Sequence, residues 1–279
     1  MARVRARLAV ACLVGITLAA AAADLLPYSP HQVRTSEGVQ VLRPPSDSHW
    51  LGTDDRGRDV LSRLLHGART SLVLAAGVVV LSLGAGGIAG GLAAGRGGAV
   101  DATVVGGLDV VTAVPALLLV VAVQGLWARA SMGALVFLIA IPQAAYVARV
   151  VRAELRNALV SPFVEAARAL GASPLRITLF HALPHAVPQV AACVPSIVAA
   201  SVLAEAALTF IGLGVSPPTP SWGELLRQAH QNQLAWWLAA PAGGAVALVT
   251  LSAQVLADGS LRQKSPSAWG EATCVRSTD

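Results

Sequence analysis

Ionisable side chains are scarce in this sequence, and those set among apolar neighbours are the first places to look for chemistry. Glu205 lies within the mostly apolar run Val187 to Leu213. A carboxylate at membrane depth is costly and by default faces a cavity or a partner. It can line a pore and meet a passing amine or cation, or it can pack between helices, bonded to backbone or hydroxyls. Asp109, near the inner end of another apolar run, reads as an interfacial residue. His181 and His185 are four apart, a spacing that would share a helix face, but Pro184 between them breaks that face and no third ligand is near. Cys12, Cys193 and Cys274 are an odd number at wide spacing, which suits packing residues or a free tail thiol rather than a metal site. There is no Gly-rich phosphate loop ending in Lys-Ser/Thr and no nucleophile elbow, so the sequence offers no site for ATP hydrolysis or acyl transfer.

The elements that position these residues follow from composition. Of 279 residues, 55% are hydrophobic and only 13% charged, with a mean hydropathy of +0.64. A soluble domain needs more charge to cover its surface; a chain whose solvent is lipid does not. The 26 glycines, among many Ala, Val and Leu, suit close packing of membrane helices. The net charge of +5 comes without a basic run interleaved with aromatics, which argues against a nucleic-acid partner. Arginines sit instead at the ends of apolar runs, where anionic membrane lipids are their natural partners.

About 20 mostly apolar residues make a span. Six such stretches are expected: Leu8 to Leu26, Ser71 to Ala94, Val104 to Leu126, Met132 to Val151, Val187 to Leu213 and Trp236 to Ala257. The fold class is therefore all-α, a polytopic transmembrane bundle. The first stretch, behind Arg3, Arg5 and Arg7, fits a cleavable signal peptide as well as an anchor, and the spans that follow favour the anchor. The chain divides into an N-terminal span (1–26), an extracytoplasmic loop (27–67), a core (68–262) and a cytoplasmic tail (263–279). The N-terminal arginines place both ends inside. The segment between spans four and five is then inside too, and it carries Arg149, Arg152, Arg156, Arg168 and Arg176 against Glu154 and Glu165. The first loop balances its arginines with Glu37, Asp47, Asp54, Asp55 and Asp59.

That inner segment has its own pattern. Ser161 is a suitable N-cap, Pro162 suits the first helical position and Glu165 lies near the positive end of the helix dipole. Phe163, Ala166, Ala167 and Leu170 recur on one helical face. Gly171 can end the helix, and Ser173-Pro174 can start a second that stops before Pro184. Periodicity alone favours an amphipathic element lying along the membrane and linking two spans.

Glu165-Ala-Ala-Arg-Ala-Leu-Gly171 followed by Leu183-Pro184 resembles the EAA loop of ABC importer permeases, with Glu, Ala, Ala, Gly, Leu and Pro at the family's offsets. His181 departs from it, standing where an Ile is usual, and Phe180-His-Ala-Leu-Pro184 resembles the peptide-importer version of the loop. The resemblance implies that residues 161–175 are a coupling helix docked on an ATPase subunit. Glu165 would make polar contacts there, beside Arg168; Ala166 and Ala167 would permit close approach; Gly171 would make the turn ahead of Pro174; and Leu183 and Pro184 would close the motif.

Two further stretches resemble the C-type subunit of dipeptide, oligopeptide and nickel permeases: His49-Trp-Leu-Gly-Thr-Asp-Asp-Arg-Gly-Arg-Asp59, and Leu203-Ala-Glu-Ala-Ala-Leu-Thr-Phe-Ile-Gly-Leu-Gly214 through Trp222-Gly223. Read alone, the first is a solvated loop; the resemblance implies a structured outer cap on a pore. Since Glu205 belongs to a pattern that this family carries with different cargoes, the packing role is the preferred one. The resemblance implies a permease subunit of an ATP-driven importer in the cell inner membrane, not an enzyme, with ATP and Mg bound by a partner. It implies a homologous second permease, two ATPase subunits or a fused equivalent, and an extracytoplasmic substrate-binding protein. Cargo would be a peptide or, alternatively, nickel. A secondary transporter would need coupling-ion carboxylates at mid-depth, and only Glu205 is a candidate. A membrane-embedded enzyme would need a catalytic pair or metal cluster in the spans, and an accessory anchor would not need the inner two-helix segment.

Overall fold

The computed structural model describes residues 2–25, 29–31, 41–114, 118, 121–122, 131–233 and 235–262. Among them the chain is helical, and the sole strand-like pairing is an isolated bridge between Thr53 and Asp59. In chain order the helices are α1 (Ala2–Ala21), α2 (Val60–Arg96), α3 (Gly98–Ala113), α4 (Met132–Leu159), α5 (Pro162–Ala169), α6 (Pro174–Phe210), α7 (Trp222–Gln231) and α8 (Trp236–Arg262). Five stretches are long and apolar enough to cross a membrane: Val4–Leu25, Val60–Arg96, Met132–Leu159, Pro174–Phe210 and Trp236–Gly259. They hold five of the six expected spans. Much of the expected third span, 104–126, lies outside the described residues, as does the tail 263–279; α3 covers the third span's first part.

Two boundaries differ from the sequence expectation. Helix α2 begins at Val60, well before Ser71, because Asp59 caps it by accepting a hydrogen bond from the Ser62 N–H at 2.8 Å. The polar residues of its first turns also find partners, so polarity there does not end the helix: Arg63 donates to the Pro30 carbonyl and Arg69 to Asp24. At the other site, the helix that begins at Pro174 does not stop before Pro184. Residues Ile177–Ala182 form a π turn, and the Leu183 N–H reaches back to the Thr178 carbonyl. This wider turn gives the Pro184 ring room against the Phe180 carbonyl four residues back, and the helix continues.

The heart of the bundle is the α2–α4 pair, joined by α6. Leu74 and Val78 pack with Leu138, Val147, Val151 and Leu155, and Ile197 and Leu208 complete the cluster. Lipid is as apolar as these side chains, so close fit rather than hydrophobic transfer holds the pair together. Gly90 is a point of close approach between them: a Cβ there would meet the Ala148 carbonyl and lie 2.9 Å from the Val151 Cβ. Outward faces remain apolar, with Val80, Ile88, Phe137, Leu203 and Leu251 exposed. Two tryptophans tie the peripheral elements down: Trp222 donates its indole N–H to the Leu64 carbonyl at 2.9 Å, and Trp237 donates to the Thr53 carbonyl at 3.2 Å.

Candidate functional site

The segment between α4 and α6 is built by local rules. Ser161 has the extended backbone of an N-cap, φ −81° and ψ 152°, and Pro162 takes the first helical position of α5. Its hydroxyl does not cap the helix, however; it donates back to the Ala158 carbonyl at the end of α4. The other end of α5 closes in a Schellman arrangement. The Gly171 N–H donates to the Arg168 carbonyl at 2.9 Å and the Ala172 N–H to the Ala167 carbonyl at 3.1 Å. Gly171 has φ +80° with open space around it, so any side chain there would be strained by backbone conformation rather than by collision. Ser173 then caps α6, accepting from the Arg176 N–H, with Pro174 in the first turn.

Of the expected apolar face of α5, only Ala167 is buried within the chain. Val164 and Ala167 turn inward against Ile177, Leu159 and Ala172. Ala166 and Glu165 are exposed, and Leu170 is 88% exposed. The two alanines thus part ways: Ala167 anchors the helix to its own chain, and Ala166 is presented outward beside Glu165, Arg168 and Leu170. The Phe163 ring leans the other way and stacks on His185, with centroids 4.8 Å apart and planes 22° from parallel. Leu183 and Pro184 are exposed on α6 just past the π turn. His181 is half-buried, its Nδ1 has no hydrogen-bond partner, and no cluster of metal-ligating side chains occurs among the described residues.

Glu205 is fully buried. It accepts a hydrogen bond from the Ser71 hydroxyl of α2 at 2.8 Å and from the Thr209 hydroxyl one turn along α6 at 2.9 Å. The carboxylate therefore bridges two spans. Asp109 is exposed and pairs with Arg149 at 2.8 Å. Nearer the start of α3 on the same seam, Asp101 receives Arg152 at 2.8 Å and Arg156 at 2.7 Å from α4. The hydrogen bond from Arg152 holds the Asp101 carboxyl below the usual carboxylate range, outweighing its partial burial.

The Gly-Thr-Asp-Asp-Arg-Gly-Arg-Asp stretch folds into a knot on the start of α2. Buried Asp54 accepts from the Arg56 N–H at 2.9 Å, the Arg58 N–H at 2.8 Å and the Arg58 Nε at 2.7 Å, and lies 3.4 Å from Arg63 Nε. Asp59 adds His49 Nδ1 at 2.9 Å to its capping bond. Neighbouring Asp55 has its carboxyl pushed up by burial and then by the Asp54 charge. On α7, capped by Ser221, burial would raise Glu224, but hydrogen bonds from Arg227 and Gln228 prevail and hold it low. Sequence reasoning left several of these residues unassigned. Glu224 with Arg227 announces itself by i,i+3 spacing on a helix, whereas Asp54 and Arg58 pair in a loop, where that spacing is no signal. Asp101 with Arg152 and Phe163 with His185 are joined only by tertiary approach and leave no local signal.

Comparison with known proteins agrees with this architecture. The family described as "Binding-protein-dependent transport system inner membrane component" matches residues 70–263. The chain is 34% identical over 247 residues to the di/tripeptide transport system permease protein DppC of Pseudomonas aeruginosa, covering 84% of this chain and 78% of that protein. It is 32% identical over 243 residues to a putative peptide permease protein of Brucella suis, covering 84% and 77%. Among solved structures, the methionine ABC transporter MetNI in an inward-facing form superposes with a TM-score of 0.58 at 20% identity, over 72% of this chain and 95% of that one. At that identity the likeness is one of fold.

Proposed function

Since this chain belongs to the family of binding-protein-dependent transport system inner membrane components, we propose that it carries peptides and is driven through residues 161–175. It is a multi-pass permease subunit of an ABC importer and not an enzyme; ATP hydrolysis resides in a separate subunit. The cargo reading rests on relatives named as peptide and di/tripeptide permeases. The subunit works beside a homologous second permease, two ATPase chains or a fused equivalent that bind ATP and Mg, and an extracytoplasmic binding protein that delivers the peptide. Six spans put both termini in the cytoplasm, residues 27–67 outside and 263–279 inside, with 68–262 as the core.

The observation that carries the coupling role is α5 itself. Its Val164–Ala167 face is locked to the chain's own α6, while exposed Glu165, Ala166, Arg168 and Leu170 are left for a partner. Small Ala166 permits close approach, Glu165 and Arg168 supply polar contacts, and Gly171 sets the turn into Pro174. Leu183 and Pro184 mark where the moving segment joins the span. Glu205 holds α6 to α2 and does not line the pore.

Uptake of a labelled tripeptide is the test. Cells lacking this chain should lose uptake and regain it on complementation. Unchanged peptide uptake with a loss of nickel uptake would overturn the cargo, and unchanged uptake of both would overturn the importer role in those cells.

A further inference from the structure

The covalent path from α5 into α6 is soft. It runs through the left-handed Gly171, then Ser173-Pro174, then the π turn Ile177–Ala182, and regular α-helix resumes at Leu183. Wide turns of this type recur at functional sites and at helix kinks. Beside the π turn lies an apolar groove of about 670 Å³ between α2, α4 and α6, walled by Leu175, Thr178, Leu179 and Leu183 on one side and Gly87 and Gly91 on another. It leaves the start of α6 room to swing. A push on α5 delivered through this path alone would be absorbed before reaching the span.

A second link bypasses the soft path. Phe163, in the first turn of α5, stacks on His185, in the first regular turn of α6. The two rings join the parts on either side of the bend, whereas the Val164–Ala167–Ile177 cluster reaches α6 only at the first residue of the π turn. We infer that the Phe163–His185 stack is the strut that carries displacement of α5 past the π turn into α6, with His185 and Phe163 as positioning residues. The inference rests on the coupling role proposed for residues 161–175.

The test uses the full complex in vesicles, in a chain whose native cysteines are replaced. The readout is the change in thiol reactivity of Val187→Cys, exposed on α6 two residues beyond His185, on addition of ATP and Mg. With the strut intact, ATP changes the reactivity. His185→Ala should keep the ATPase subunit bound and hydrolysing while the ATP-induced change shrinks by about two- to tenfold, the range expected from losing one aromatic pair, and Phe163→Ala should shrink the change to a similar degree. His185→Phe, and the exchange of Phe163→His with His185→Phe, should restore it, which a merely structural role for the imidazole would not require. An undiminished change in both alanine variants overturns the strut, and so does a His185→Phe chain as impaired as His185→Ala. Ala166→Arg separates the two ideas: if it fails to release the ATPase, the docking reading is wrong, and if it releases the ATPase while His185→Ala behaves as wild type, only the strut is wrong.

Discussion

Glu205 and Asp101 show how much a single carboxylate can do in a chain with so few. Glu205 is bonded to hydroxyls on two sides with no part exposed, the arrangement of a packing group. Glu205→Gln should keep shape and one acceptor and leave uptake within about twofold, whereas Glu205→Leu strands the Ser71 and Thr209 hydroxyls and should lower stability by about 1 kcal/mol. Uptake and thermal unfolding of the detergent-solubilised complex check this; a large loss of uptake in an intact Glu205→Gln complex would make the carboxylate a pore group. Asp101 works through charge. Its pKa is depressed below 3.8 by Arg152, so the folded state binds the proton more weakly than the unfolded chain does. The clasp therefore stabilises above the ordinary carboxylate pKa and is lost as pH falls through the folded value. The unfolding temperature of wild type should exceed that of Asp101→Asn at pH 5 to 7, and the difference should close below about pH 4. A gap that persists at low pH would mean that Asp101 acts by shape and not by charge.

At the scale of elements, Gly171 holds the left-handed turn that ends α5. Gly171→Val forces a β-branched residue into a left-handed conformation that costs about 1–2 kcal/mol, whereas Asn tolerates it. The Val chain should insert normally yet retain less ATPase subunit on purification, and Gly171→Asn should retain more than Val does; equal retention by the two would show that the left-handed turn is dispensable. The sequence made much of this element readable, because Pro at the first position, Gly at the end and the Ser173 cap that follows are local signals. The spans were readable for the same kind of reason, a run of apolar residues long enough to cross. Where the reading slipped, tertiary partners had overruled local polarity or local breakers. Helix α2 starts early because Asp24 and Pro30 satisfy arginines that would otherwise end a span. The helix through Pro184 survives because a π turn makes room for it. Of the apolar face Phe163, Ala166, Ala167 and Leu170, only Ala167 is buried within the chain, beside Val164, because Ile177, across the turn, takes the inward side. No periodicity within α5 could report where Ile177 would fall.

At the scale of the molecule, the orientation proposed here makes opposite ends face opposite solvents. In a cysteine-replaced background, exposed Ser48→Cys should react with an impermeant thiol reagent in intact cells, and exposed Ser173→Cys only after the membrane is opened. Labelling of Ser173→Cys from outside would invert the topology. The central claim is that the exposed side of α5 is where a separate ATPase engages this permease. Leu170, 88% exposed, and Trp50, 73% exposed, are suitable reporters for the two ends. A photoreactive group attached to Leu170→Cys in the assembled complex should capture the ATPase subunit, and the same group on Trp50→Cys should capture the binding protein and never the ATPase. An intact complex in which Leu170→Cys captures no ATPase, or in which Trp50→Cys does, would contradict the claim.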